Sequence, residues 1–161
     1  SAEGHFAPAN SEYAMFGFGG VFVEVGVDAS LGLVRLRRCV GAYSAGRIVN
    51  ERTAKSQMTG GMIWGIGQAL LEHSAMDRTL GRFVSKNLAG YLIPTNADVG
   101  HLEAHFVEEL DPIASPIGVR GIGELGATGV ATAIANAVYN AVGVRVRDLP
   151  IVPEQLLPIL D

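Results

Sequence analysis

Two long stretches of this chain carry no charge, and they limit what it can fold into. One runs from Leu125 to Val144, the other lies between Lys55 and Glu72. In the first, Val130, Ile134, Val138 and Ala141 recur at helical spacing, and alanine fills the other faces. In the second, Met58, Met62, Ile63, Ile66, Ala69 and Leu70 do the same, on a helix opened by Asn50 and Glu51 and reaching about His73. A helix that is apolar or small on every side belongs inside a protein. The expectation is a core built around two buried helices. Four glycines (Gly60, Gly61, Gly65 and Gly67) interrupt the earlier one. Each costs ~1 kcal/mol relative to alanine, so close backbone approach to another helix or a ligand is the natural reason for them.

The 161 residues suffice for one core and are expected to form a single domain or domain fragment, 1–161. Charged residues make up only 17% and mean hydropathy is +0.29, against ~25% charged in a typical soluble domain. Part of this surface is therefore expected to be covered by other segments or by partner subunits. A net charge of -4 argues against a nucleic-acid partner. Leu125–Val144 is long enough to span a bilayer, but its alanines and Thr128, Thr132, Asn136 and Asn140 favour a buried soluble helix with no membrane span. Ser1–Asn10 has no apolar core of a signal peptide. That points to the cytoplasm, with the periplasm left open.

The remaining pattern is β. Val21–Asp28 alternates and is rich in β-branched residues, Asp28–Gly32 reads as a turn, and Leu33–Tyr43 alternates again as the hairpin partner. Strict alternation puts Arg35, Arg37 and Tyr43 on one face, with Val34, Leu36, Arg38 and Val40 on the other. Met76–Gly81 reads as a turn, Asn87–Asp98 as an ordered loop, His101–Leu110 as a third strand and Pro153–Leu160 as a short helix. The fold class is α+β: a hairpin and a further strand packed with two buried glycine- and alanine-rich helices.

Chemistry concentrates in Pro116–Gly126, where Gly118, Gly121 and Gly123 precede a single carboxylate, Glu124. If the helix begins at Leu125, Glu124 sits at its entrance. The helix dipole there favours the charged form, while desolvation raises the pKa. These are conditions for a general base; the alternative is a first-turn carboxylate that merely complements the dipole. Other signals carry less. His101 and His105 are four apart but lie in a strand-like run without the glutamate of the helical zinc motif, so no metal site is assigned. Gly118–Gly123 could cradle an anion, yet it has neither nucleotide fingerprint. Cys39 reads as a buried inert thiol.

Gly118-Val-Arg-Gly-Ile-Gly-Glu-Leu-Gly126, followed by the alanine-rich helix and Arg145-Val-Arg-Asp-Leu-Pro150, resembles the C-terminal part of the molybdenum-binding subunit of the xanthine dehydrogenase and aldehyde oxidase family. Phe22–Asp28, Gly46–Asn50, Gln57–Gly61 and Tyr91–Thr95 extend the resemblance in order over Phe18–Leu157. It implies part of a molybdopterin-binding domain and a molybdenum-pterin cofactor, in bacteria usually the cytosine dinucleotide. On that resemblance Glu124 is the base that takes a proton from the metal's hydroxyl ligand as hydride passes to sulfur. Gln57 falls where the family hydrogen-bonds the pterin. Gly121, Gly123 and Arg120 complete the expected cofactor-binding positions, with Arg120 steadying the loop or neutralising anionic charge, or else a plain surface arginine. Departures stand at Phe16, where a histidine is common, and at Ser44, where an aspartate is.

The resemblance also implies partners: the rest of the molybdenum subunit, iron–sulfur and flavin domains or subunits, and a small-molecule substrate, aldehyde or N-heterocycle. The isolated chain is expected to be inactive. Two readings follow, a catalytic piece of a molybdenum hydroxylase and a non-catalytic structural domain that retains the fold.

Overall fold

The computed structural model describes residues 12–160; the lead-in expected over Ser1–Ala14 lies mostly outside them. Strands β1 (Phe18–Asp28) and β2 (Leu33–Ser44) form the hairpin, and α1 (Glu51–Leu70) follows. A small ribbon, β3 (Met76–Asp77) with β4 (Arg82–Phe83), comes next. The chain then forms α2 (Asn96–Val99), β5 (His101–Phe106), α3 (Val130–Val142) and α4 (Pro153–Leu160). The main sheet has the order β1-β2-β5, antiparallel at the hairpin and parallel between β2 and β5. A parallel neighbour needs a crossover, which begins with α1. The architecture is the expected α+β. Among the described residues no helix is long and apolar enough to cross a membrane.

The core is sheet on helices. Leu36, Cys39, Tyr43 and Ala104 meet Met58, Met62, Ile66 and Ala69 of α1 and Val130, Ile134 and Val138 of α3. The larger of these side chains are fully buried, and each contributes about 1.5–3 kcal/mol by leaving water. Asn50 caps α1 as expected, its Oδ1 accepting from the Thr53 amide at 3.0 Å. Two of the helix's glycines explain themselves by approach. A Cβ on Gly61 would lie 2.7 Å from the Ala127 nitrogen, and one on Gly65 would enter the Val130 side chain.

Two expectations about the strands need correction. Strict alternation fails in β2, because Glu24 pairs with Arg38 while Val25 pairs with Leu36, leaving Arg37 as a β-bulge. Val34 and Leu36 face the core before it, Cys39 and Tyr43 after it. Tyr43 is thus 1% exposed and does not share a solvated face with Arg35 and Arg37. The third strand stops at Phe106, short of Leu110.

The alanine-rich segment is helical only from Val130; Gly129 is left-handed at φ 89°, and residues 124–129 form turns. Nor is that helix buried all round. It presents one buried stripe, Val130–Ile134–Val138, while Thr132, Asn136 and Asn140 face outward. Small residues allowed both readings; the placement of three β-branched side chains decided the stripe.

Cys39 lies fully in the core, and burial pushes its thiol up to about 11. Since the thiolate is the reactive form, the folded chain should resist iodoacetamide at pH 8 and label promptly in denaturant. Equal labelling rates in both conditions would contradict this placement.

Candidate functional site

The glycine stretch is held by a succession of short local bonds. Asp111 Oδ1 accepts from the Ile113 and Ala114 amides at 3.1 and 2.9 Å, turning the chain after β5. Buried Ser115 then closes on Val119, its Oγ accepting from the amide at 2.9 Å and donating to the carbonyl at 3.0 Å. Gly118, left-handed at φ 75°, makes that closure sterically possible. Residues 118–120 next lie against the segment that continues β2. The Arg47 amide donates to Gly118 O at 2.7 Å, and the Arg120 amide to Ala45 O at 3.0 Å.

Arg120 is not a surface residue. Its side chain is 8% exposed and donates to Phe16 O at 2.6 Å, to Ser44 Oγ at 3.1 Å and, at short range, to Glu109. Its Nε lies 3.2 Å from Asp111 Oδ2, an ion pair out of line for a hydrogen bond. Ser44 Oγ donates in turn to Glu109. One guanidinium thus joins the start of β1, the end of β2 and the segment after β5. The roles of Glu109 and Asp111 escaped the sequence reading, whose only hint was three acids, Glu108, Glu109 and Asp111, close together before an arginine in an otherwise apolar loop.

Beyond Arg120 the loop meets α1. Gln57 Nε2 donates to Gly123 O at 2.6 Å across 66 residues of sequence, which brings two of the expected positions together. Ile122 and Leu125 pack on the core from either side of Glu124. The Glu124 carbonyl accepts from the Ala127 amide at 3.1 Å, while its carboxylate is exposed. Glu124 stands in a turn, six residues before α3 begins, so the helix dipole assumed from the sequence does not reach it.

Gly121 and Gly123 are exposed, and a Cβ on either would meet no atom within 4 Å. Neither has a positive φ. The fold itself makes no demand for glycine at these two positions, which leave bare backbone facing outward. Beside them lies a groove of about 590 Å³ lined by Asn50, Thr53, Gln57, Ile117, Ile122 and Gly123, with Arg47 and Arg120 at its wall and no carboxylate among its lining. Neutral hydrogen-bonding groups, apolar side chains and the Arg47 cation suit a flat, polar, anionic ligand such as a pterin with its phosphate, whereas the charge of Arg120 is already met by Glu109 and Asp111. A larger cavity of about 760 Å³ lies across Arg47 but contains Glu51, Glu108 and Glu109, a poorer match for an anion. Of the two strand histidines, His105 lines that larger cavity and His101 does not; their Nε2 atoms are 3.3 and 3.1 Å from Glu103, which also pairs with Arg38.

Residues 1–100 match the family of the molybdopterin cofactor-binding domain. The chain belongs to that family. It is 50% identical over 152 residues to the aldehyde oxidoreductase molybdenum-binding subunit PaoC of Escherichia coli strain K12, covering 94% of this chain and 21% of that protein. The putative xanthine dehydrogenase molybdenum-binding subunit XdhA of the same strain is 40% identical over 139 residues, covering 86% and 18%. Among solved structures, the aldehyde oxidoreductase of Desulfovibrio desulfuricans ATCC 27774 superposes with a TM-score of 0.80 at 31% identity, over 90% of this chain and 16% of that one. The chain spans about a fifth of the length of the curated relatives it matches.

Proposed function

We propose that this chain is the C-terminal part of the molybdenum-binding subunit of a hydroxylase oxidising an aldehyde or N-heterocycle, and that Glu124 is its general base. The observation that carries the reading is the Gln57–Gly123 hydrogen bond. It locks a helix amide to the loop one residue before an exposed carboxylate, beside a groove that contains no competing acid. Gln57, Gly121 and Gly123 would hold a molybdenum-pterin group, in its cytosine dinucleotide form, with Arg120 fixing the loop behind them. When bound, that group supplies the two-electron chemistry by which a water-derived oxygen enters the substrate. Glu124 takes up the released proton at a carboxylate oxygen and returns it to solvent. Ile117 and Ile122 limit water on the groove side, and the absence of side chains at Gly121 and Gly123 lets the group lie against backbone. Electrons leave through iron–sulfur and flavin domains or subunits outside this chain, which alone is inactive.

In the assembled enzyme Gln57→Ala should lower molybdenum content while leaving the fold nearly as stable, since one neutral hydrogen bond contributes ~1 kcal/mol. Metal analysis and thermal unfolding of the same preparation check this. Unchanged molybdenum and turnover would return Gln57 to a purely structural bond with Gly123.

A further inference from the structure

We infer that β1 takes a further strand along its open edge from the rest of the molybdenum-binding subunit, which covers Phe18 and Phe22; this rests on the reading of the chain as part of such a subunit, not on the role of Glu124. The sheet order puts β1 at one end. Among the described residues its backbone bonds only to β2, apart from the turn that Leu31 closes on Asp28. Proteins blunt a long edge with lysine, proline, a bulge or a covering element. The 11 residues of β1 include no lysine or proline, and the bulge of this hairpin falls on β2 instead. The opposite edge, β5, is only 6 residues long and carries His101, Glu103 and His105.

The outer face of β1 is apolar as well as open. Val21, Val23, Val25 and Val27 pack on the core, so Phe18, Gly20, Phe22 and Glu24 turn the other way, beside Ala42, Val40 and Arg38 of β2. Phe18 and Phe22 are 65% and 70% exposed. Phe22 and Val40 line a shallow groove of about 380 Å³ that Glu24 and Arg38 bound at one end. Above Gly20 a Cβ would meet only the Phe22 ring, at 3.7 Å. Two exposed rings with bare backbone between them, bounded by charge, mark a surface on which another segment rests.

A second copy of this chain is a poor occupant. β1 holds Glu24 and Asp28 and no cation. Every register of β1 on β1 therefore sets Glu24 against glycine, an apolar side chain or another acid. The rest of the subunit is the better one. The chain spans about a fifth of the length of the curated relatives it matches. Just before β1, the Phe16 carbonyl accepts from Arg120, which stands at the wall of the 590 Å³ groove. A segment seated on Phe18 and Phe22 thus lies next to that wall, where residues beyond this chain continue the enclosure of a bound group.

The test uses the assembled enzyme carrying Phe22→p-benzoylphenylalanine, a photoreactive side chain. Irradiation followed by peptide mass spectrometry should join position 22 to a peptide of the molybdenum-binding subunit outside these 161 residues. Cross-links confined to these residues, as from an open face or a second copy, would overturn the proposal, and so would one to a different subunit. Hydrogen exchange on the unmodified enzyme gives an independent reading. A strand paired on one side offers only alternate amides to its neighbour, whereas all the amides of 19–27 should exchange at least about tenfold more slowly than unstructured peptide. Fast exchange at alternate positions would sink the added strand. Neither measurement depends on turnover, so the base can fail while the strand stands. An enzyme holding no further molybdenum-subunit sequence would remove the proposed function and the added strand together.

Discussion

In the assembled enzyme, Glu124→Gln is expected to keep its molybdenum and its fold while turnover falls ~10²–10⁴-fold, the usual cost of removing a general base. The reasons are structural. The loop uses the backbone carbonyl of Glu124, which accepts from Ala127 and Thr128, and leaves the carboxylate exposed. Glutamine preserves shape and that backbone bond, so assembly has no cause to fail. It cannot accept the proton. Metal content, thermal unfolding and single-turnover reduction by substrate, measured on one preparation, separate chemistry from assembly. Full molybdenum with near-normal reduction would leave the chain as a cofactor wall without a base and favour the non-catalytic reading of the domain.

Adjacent glycines of α1 should respond in opposite directions to the same substitution. Gly60→Ala places a methyl where no atom lies within 4 Å, so the chain should gain about 0.5–1 kcal/mol from reduced backbone entropy. Gly61→Ala drives a methyl to 2.7 Å from both the Ala127 nitrogen and the Gly126 carbonyl carbon. Backbone atoms cannot swing aside as a side chain can, and the loss should reach the upper part of the ~1–3 kcal/mol range for overpacking. Urea midpoints at constant slope measure both. Equal shifts of the same sign would mean that α1 and the 124–129 turns are not in the close contact described.

Propensity alone does not separate those two glycines, and that marks how far the sequence could be read. The hairpin was legible because Val21, Val23, Val25 and Val27 alternate without interruption. Helix α1 was legible because a capping asparagine precedes a long apolar periodicity. The start of α3 was not, since alanine and glycine continue through Gly126–Gly129 with only Thr128 among them and no charged residue to mark the turns. The glycine motif drew attention to Glu124 and, through the resemblance, to Gln57. Their proximity depends on a contact 66 residues apart. The burial of Arg120 was invisible for a similar reason: its partners Phe16, Ser44, Glu109 and Asp111 are gathered by β1, β2 and the segment after β5, and no local spacing records that.

The bulge at Arg37 has an effect beyond its own place in the ladder. Because side chains on a strand point alternately to either face, one supernumerary residue reverses the handing of everything after it. Leu36 and Cys39 both turn inward only because Arg37 stands between them as an extra count. Position 37 therefore acts as a parity bit for β2. Its identity is free to drift, as far as the room over Gly26 allows, and its deletion would leave Leu36 and Cys39 two residues apart, both still inward on a straight strand. A strand that straightened here without losing a residue would instead send Cys39 and Tyr43 to the wrong side and misdirect the support of the glycine loop without touching any residue in it.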